Sequence, residues 1–194
     1  ELADELQFLV VYPAQAWTAN YSRCWNWFRQ RDQRRDDGEP SLIAGITKQV
    51  IARHNVDARR VYIAGLSAGG AMAAVMAATY PDLYAAAGIH SCLPYASARD
   101  AVSAIAAMRG QRSDASSLLP AVPTIVFHGD KDTTVRHHGG DYAIAGAQHK
   151  SESGEAGGRA YTRTVYRTAK AAVEHWLVHG GGHAWSGGNA SASY

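Results

Sequence analysis

The chain has 194 residues, of which 46% are hydrophobic and 19% charged, and a formal net charge of +2 from 19 basic and 17 acidic side chains. This composition predicts one folded domain over residues 1–194 and excludes a disordered chain. The near balance of charge argues against a protein bound to nucleic acid by phosphate neutralisation. No apolar run approaches the roughly 20 residues of a membrane span.

Apolar runs alternate with helical stripes along the chain, an order typical of a parallel α/β sheet. The predicted strands cover residues 6–12, 60–66, 84–90, 124–128, 161–168 and 172–178. The predicted helices cover residues 42–55 (after an N-cap at Ser41), 68–79, 98–108 and 141–148. Residues 14–40 and 151–159 are predicted to be irregular connections. Within the first, we interpret the mixed charges of residues 29–39 as a solvated loop.

The sequence GLSAG at residues 65–69 lies between a predicted strand and a predicted helix. This placement is typical of a nucleophile elbow, a sharp turn that holds a serine hydroxyl above the sheet at a helix N-terminus. We therefore expect Ser67 to be a catalytic nucleophile. The alternative is a glycine-rich helix start in which the serine is incidental.

A serine nucleophile needs a base and an orienting acid, which follow it in this fold in the order acid, then histidine. Asp130 and Asp132 come after the strand 124–128. We favour Asp132 as the acid, because Asp130 lies in the tight turn and would bond backbone N–H groups there. His183 follows the last strand and three glycines, so it is the predicted base. That both aspartates are ordinary turn residues is the alternative.

The remaining histidines receive structural roles, because no metal-ligand spacing is present. His175, His179 and His183 are spaced at four and four, but strand-like sequence and the glycine triplet argue against a helical metal face. His90 and His128 end predicted strands near the site and could line it, but packing is the favoured role for each. His90 is also kept as a candidate for lining the substrate pocket. No metal or cofactor is implied.

Seven stretches together resemble one known family. They are FLVVYPAQ (8–15), CWNWF (24–28), GEPSLIAGI (38–46), RRVYIAGLSAGGAM (59–72), YPDLYAAAGIHS (80–91), PTIVFHGDKDTTV (123–135) and GGGHAWSGG (180–188). They resemble the α/β-hydrolases that include polyhydroxybutyrate depolymerases and the related feruloyl and acetylxylan esterases. The resemblance implies a mostly parallel sheet with helices on both faces. It maps a catalytic triad onto Ser67, Asp132 and His183, in agreement with the motif and its spacing.

The resemblance also implies parts that this sequence does not show. Family members carry further strands and a loop beginning His-Gly before the segment equivalent to Glu1, and that loop supplies one amide of the oxyanion hole. They usually continue into a closing helix beyond the segment equivalent to Tyr194. We therefore expect an α/β-hydrolase domain that is incomplete at both ends. Only the amide of Ala68 can be assigned to the oxyanion hole.

These residues predict a serine esterase that hydrolyses carboxylic esters through an acyl-enzyme, with polyhydroxybutyrate depolymerase-like activity. A feruloyl or acetylxylan esterase is the alternative, and a non-catalytic polymer- or carbohydrate-binding protein is the alternative of another class. Trp185, Trp25 and Trp27 are candidates for gripping the acyl group, with packing as the competing role. The expected partner is an ester substrate, and neither nucleic acid nor a membrane is predicted.

Cys24 and Cys92 leave three states open: a bridge between them, two free thiols, or pairing of Cys24 with a cysteine outside this sequence. A bridge would close a loop of about 70 residues and imply an oxidising compartment. The family resemblance favours an extracellular or periplasmic protein, and no signal peptide is recognised in this chain.

Overall fold

The structure, a computed structural model, describes residues 2–111, 121–137, 147–167 and 171–188. Its strands are β1 (Tyr62–Leu66), β2 (Ala86–His90), β3 (Thr124–Gly129), β4 (Gln148–Ala156), β5 (Arg159–Arg167) and β6 (Ala172–Val178). Its α-helices are α1 (Leu2–Glu5), α2 (Gly38–His54), α3 (Ala68–Thr79) and α4 (Ala101–Met108). Short 3₁₀ helices span Gln30–Gln33 and Ala58–Arg60.

The described strands form one sheet in the spatial order β1-β2-β3-β6-β5-β4. The pairs β1–β2, β2–β3 and β3–β6 are parallel, whereas β5 and β4 add an antiparallel hairpin at one side. The register aligns Leu66, His90 and Phe127 across β1, β2 and β3. The carboxyl ends of these strands therefore lie together at one end of the sheet, where open α/β proteins have their sites.

The main core lies between α3 and one face of the sheet. Ala71 and Ala74 of α3 pack with Ile89, Val126 and Val173, which occupy neighbouring strands. Small side chains on α3 let the helix approach the strands closely, so that Val126 and Met76 are fully excluded from solvent. The helix that follows Ser67 is therefore a fixed support for the turn at Ser67.

In the structure, α2 begins four residues earlier than the sequence predicts. The helix begins at Gly38 because the carboxylate of Asp37 accepts the Gly38 N–H as an N-cap. Ser41, the predicted cap, lies in the first turn, and its hydroxyl donates to the carbonyl of Gly38. Pro40 fits this first turn, where a missing N–H costs little. The predicted end is confirmed, since Asn55 caps the helix with φ 50°.

The predicted strand at residues 6–12 is wrong. This segment is not part of the described sheet, and Phe8, Leu9, Val10 and Val11 are 45% to 58% exposed. An apolar run indicates a buried strand only where its backbone also finds a neighbouring strand. The hydropathy of the segment does not show whether such a neighbouring strand is present.

The predicted irregular connection at residues 151–159 is also wrong, because it contains most of β4 and the turn into β5. Gly157 and Gly158 both have positive φ, 57° and 73°, as a two-residue type I′ hairpin turn requires. β4 lies at the sheet edge with almost every residue exposed. Its polar sequence therefore reflects solvent on both faces rather than a loop.

The structure also shifts α4 and leaves one predicted helix largely untested. α4 begins at Ala101, three residues later than expected, because Asp100 and Ser103 form a capping box there. Residues 138–146 lie outside the described residues, and they include most of the predicted helix 141–148. Gln148 itself begins β4.

Residues 29–39 are more ordered than a solvated loop. Asp32 is 3% exposed and accepts the N–H of Glu39. Arg35 forms a bidentate ion pair with Asp82. This stretch is therefore held to the rest of the fold by Arg35 and supports the start of α2 through Asp32.

Cys24 is exposed and Cys92 is buried, and the structure does not bridge them. Of the three states that the sequence leaves open, the structure therefore lacks the bridge between Cys24 and Cys92, and the other two stay open.

Candidate active site

Ser67 stands in a strained turn between β1 and α3. Its backbone has φ 56° and ψ −122°, a conformation that costs a residue with a side chain roughly 1–3 kcal/mol. The turn is held by two hydrogen bonds: the Ser67 N–H donates to the carbonyl of His90, and the Ser67 carbonyl accepts the N–H of Ala71, both at 2.9 Å. The predicted elbow geometry is thus present at Ser67.

The glycines around Ser67 allow the helix to approach the strand. A Cβ atom on Gly65 would overlap the carbonyl of Gly69. A Cβ atom on Gly70 would lie 2.9 Å from the carbonyl oxygens of both Gly65 and His90. Side chains at these positions would push α3 away from the sheet and change the turn that presents Ser67.

Ala68 is the first residue of α3. The first amide groups of an α-helix have no acceptor within the helix, and the helix dipole makes this end positive. The Ala68 N–H is therefore placed, beside Ser67, where it can donate to a developing oxyanion.

Asp132 and His183 are in direct contact. The Nδ1 atom of His183 lies 2.8 Å from Oδ2 of Asp132, whose Oδ1 accepts the N–H groups of Thr134 and Val135 at 2.9 Å each. Burial raises the pKa of Asp132, but the hydrogen bonds from His183 and Val135 outweigh it, so this pKa lies below its usual value. Asp132 therefore remains a carboxylate that orients the His183 ring.

His128 supports the loop that carries Asp132. Its side chain is completely buried, and its Nε2 atom donates to the carbonyl of Val135 at 2.8 Å. The same nitrogen lies 3.4 Å from Oδ2 of Asp132. His128 therefore packs beneath the acid.

The carboxylate of Asp130 contacts different residues from that of Asp132. Its Oδ1 accepts the N–H of Gly180 at 2.7 Å, and its Oδ2 lies 3.0 Å from Nδ1 of His179. Asp130 thus closes the base of the loop that leads to His183, and the N–H group that donates to it belongs to this loop, not to its own turn as the sequence had predicted.

His90 connects the nucleophile turn to the loop of His183. Its carbonyl accepts the Ser67 N–H, and its Nε2 atom accepts the N–H of Ser186 at 2.9 Å. Among the described residues, His183 makes its side-chain hydrogen bond to Asp132, and no hydrogen bond joins the Ser67 hydroxyl to the His183 ring. At 3% exposure, His90 has almost no surface for a substrate, so the lining role kept open for it does not fit its burial.

The three tryptophans proposed for substrate contact differ in their surroundings. Trp25 and Trp27 pack against the core cluster that contains Met72 and Met76, which is the packing role weighed for them. Trp185 is 41% exposed, and its ring meets the His90 ring edge-on at 5.3 Å. Only Trp185 of the three therefore combines exposure with a position beside the candidate site.

Ser186 is not among the residues that the sequence predicts for the site. Nothing in its local sequence distinguishes this serine from any other residue in a glycine-rich loop. Its importance comes from the hydrogen bond that its N–H makes to a ring 96 residues away along the chain.

In the described ranges, no group of three or more His, Cys, Asp or Glu side chains is arranged to hold a metal ion. The same residues include no helix with the length and hydropathy that a membrane crossing requires.

The sheet order and the elbow define the class of protein as an α/β-hydrolase. The solved acetyl xylan esterase from Aspergillus awamori has the same fold, with a TM-score of 0.76 and 22% sequence identity. The alignment covers 94% of this chain and 74% of that one.

The family model described as Esterase PHB depolymerase matches residues 1–153, and the chain belongs to this family. This chain is 32% identical over 212 residues to poly(3-hydroxyalkanoate) depolymerase C of Paucimonas lemoignei. The alignment covers 94% of this chain and 49% of that protein. The chain is 39% identical over 103 residues to feruloyl esterase B of Neurospora crassa, covering 53% of this chain and 34% of that protein. The family resemblance is thus confirmed, and the chain spans about half the length of the depolymerase.

Proposed function

We propose that this protein hydrolyses carboxylic esters with Ser67 as nucleophile, His183 as base and Asp132 as orienting acid. The observation that carries the proposal is the 2.8 Å contact between His183 and Asp132. It lies at the carboxyl end of the sheet, where the strained turn at Ser67 also lies. Family membership supports the same reaction class.

The reaction follows from the position of each proton. The Nδ1–H of His183 donates a hydrogen bond to the Asp132 carboxylate, which leaves Nε2 unprotonated and able to take the Ser67 hydroxyl proton as the oxygen attacks the acyl carbon. The protonated His183 then gives this proton to the departing alcohol, and an acyl-enzyme remains. Water attacks the acyl-enzyme by the same route, which releases the acid and restores the Ser67 hydroxyl.

The tetrahedral intermediate of each step carries a negative oxygen. The Ala68 N–H and the positive end of α3 stabilise this charge. Removal of one such donor typically costs about a hundred- to a thousand-fold in turnover.

A polyester of hydroxyalkanoic acids is the favoured substrate. The similarity to the depolymerase extends over 94% of this chain, against 53% for the feruloyl esterase. The exposed ring of Trp185 offers an apolar surface for the acyl chain. Family membership supports the proposal of an extracellular or periplasmic enzyme. Parallel assays with a polyhydroxybutyrate suspension, methyl ferulate and acetylated xylan separate the three substrate classes.

Replacement of Ser67 by alanine tests the reaction class. We expect Ser67→Ala to abolish p-nitrophenol release from a short-chain p-nitrophenyl ester and to abolish labelling by a fluorophosphonate probe. Ser153→Ala, on the exposed edge strand β4, is the matched control and should retain both. Undiminished turnover by Ser67→Ala would refute the assignment. A wild-type chain that resists labelling would favour the non-catalytic binding protein.

A further inference from the structure

The ring of His90 holds the loop at residues 183–188, which we call the histidine loop. The N–H of Ser186 points at Nε2 of His90 over 2.9 Å, and the Ser186 hydroxyl lies 2.9 Å from the same atom. A backbone N–H can only donate, so Nε2 of His90 must be the acceptor and carries no proton. The single ring proton of the neutral imidazole is therefore on Nδ1.

The other side of the His90 ring is fixed as well. Nδ1 lies 2.9 Å from the hydroxyl oxygen of Ser91, which accepts a hydrogen bond from the ring N–H. Ser91 is itself fully buried. The indole ring of Trp185 covers the His90 ring edge-on at 5.3 Å. The ring of Phe127 stacks against it at 5.9 Å. The His90 ring is therefore held on several sides, and its acceptor nitrogen has one orientation.

We propose that His90 is a positioning residue, whose unprotonated Nε2 fixes the histidine loop so that His183 stands opposite Ser67. The proposal rests on the proposed function, because it takes the task of the loop to be the placement of His183. Ser186 lies only three residues beyond His183. The carbonyl of His90 also accepts the Ser67 N–H, so one residue sets the position of both the nucleophile turn and the loop of the base.

The neutral state of His90 is protected by its surroundings. Burial, followed by the neighbouring histidines His128 and His183, lowers its pKa to about 4, although the carboxylate of Asp132 acts in the opposite direction. Protonation would place an N–H at Nε2 directly against the N–H of Ser186, and two donors repel each other. The histidine loop therefore keeps its anchor at neutral pH and loses it in acid.

A pair of substitutions at His90 tests the acceptor. In His90→Gln, the longer side chain places an amide oxygen close to the position of Nε2, whereas the shorter side chain of His90→Asn ends near Nδ1. We expect His90→Gln to keep kcat within about threefold of wild type. Since a misplacement of about 1 Å can cost a hundredfold, we expect His90→Asn to lower kcat about a hundredfold with little change in KM.

A pair of substitutions at Ser186 tests the donor. Residues 185–188 form a turn closed by the Gly188 N–H and the Trp185 carbonyl, and Gly187 has φ 79° in its third position. This pattern is typical of a type II turn, which favours proline in its second position. Ser186→Pro thus removes the N–H and suits the turn, and we expect the same loss of kcat as in His90→Asn. Ser186→Ala keeps the N–H and should keep kcat.

The outcomes separate this proposal from the proposed function. Activity retained by Ser67→Ala refutes the proposed function. Wild-type kcat in both His90→Asn and Ser186→Pro, with Ser67→Ala inactive, refutes the role of His90 alone. The NMR signal of the His183 Nδ1 proton should weaken in these two variants and persist in His90→Gln. If His90→Asn does not fold, as thermal unfolding would show, Ser186→Pro decides, and an unchanged kcat there overturns the proposal.

Discussion

The Ser67 N–H donates to the carbonyl oxygen of His90 at 2.9 Å, so the turn at Ser67 is bound to the end of the neighbouring strand. This bond uses backbone atoms on both sides and continues the parallel pairing of β1 with β2. The position of Ser67 is therefore set by the sheet itself. His183, in contrast, lies on a loop that depends on side-chain contacts with Asp132 and His90.

The first prediction concerns the close approach of α3 to β1. Gly65→Ala should lower the free energy of unfolding by several kcal/mol and abolish activity, because the new methyl group overlaps the Gly69 carbonyl. Gly69→Ala is the matched control, since a Cβ atom there has no neighbour within 4 Å. It should be neutral or stabilise α3 by about 0.5–1 kcal/mol. Urea unfolding and ester turnover measure both variants, and equal stability of the two would contradict the packing argument.

The second prediction separates the two aspartates. Asp132→Asn should lower kcat by about 10⁴-fold, because an amide in place of the carboxylate no longer fixes the proton of His183 on Nδ1. Asp130→Asn removes one charge from the same loop but faces Gly180 and His179, so it should keep kcat within about tenfold. Steady-state kinetics on a soluble p-nitrophenyl ester compares them. A larger loss in Asp130→Asn would reverse the assignment of the acid.

Elements fixed by local sequence could be predicted closely. The bounds of α3 match the prediction because the turn at Ser67 begins the helix and Pro81 follows its end. The strand expected at residues 6–12 and the hairpin of β4 could not be predicted, because each depends on whether another strand lies beside it. Single-residue hydropathy carries no information about such a partner.

The candidate site was accessible from sequence only in part. Ser67 follows from a motif with a fixed local geometry, and Asp132 and His183 follow from the chain order of this fold. The anchoring of Ser186 by His90 depends on where two side chains from distant segments point. For His90, the sequence indicates a position at a strand end, but not that its ring faces a loop rather than substrate.

The third prediction concerns the approach of the β3 end to the histidine loop. A Cβ atom on Gly129 would overlap the backbone of Gly181, so Gly129→Ala should displace the loop and lower kcat by about a hundredfold or more. A Cβ atom on Gly182 meets nothing within 4 Å, and Gly182→Ala should keep activity. Kinetics and thermal unfolding distinguish loss of activity from loss of folding. Full turnover in Gly129→Ala would show that the loop tolerates displacement.

The last prediction concerns stability in acid. The pKa values of His90 and His175 are both lowered to about 4, first by burial and then by neighbouring histidines. In the unfolded chain these groups titrate near 6.5, so between about pH 6.5 and 4 the unfolded state binds more protons. The free energy of unfolding should therefore fall as the pH falls, by about 2 kcal/mol per histidine at pH 5. The lowered pKa of Asp132 adds a further loss only below about pH 4.

Substitution of His175 tests this pH dependence. Urea unfolding of the wild type at pH 7 and pH 5 should show the combined loss from His90 and His175. His175→Gln cannot take up the proton in either state, so its loss between the two pH values should be smaller by about 2 kcal/mol. His54→Gln replaces an exposed histidine at the end of α2 and should keep the wild-type difference. If His175→Gln and His54→Gln show the same pH dependence, burial of His175 does not control acid stability.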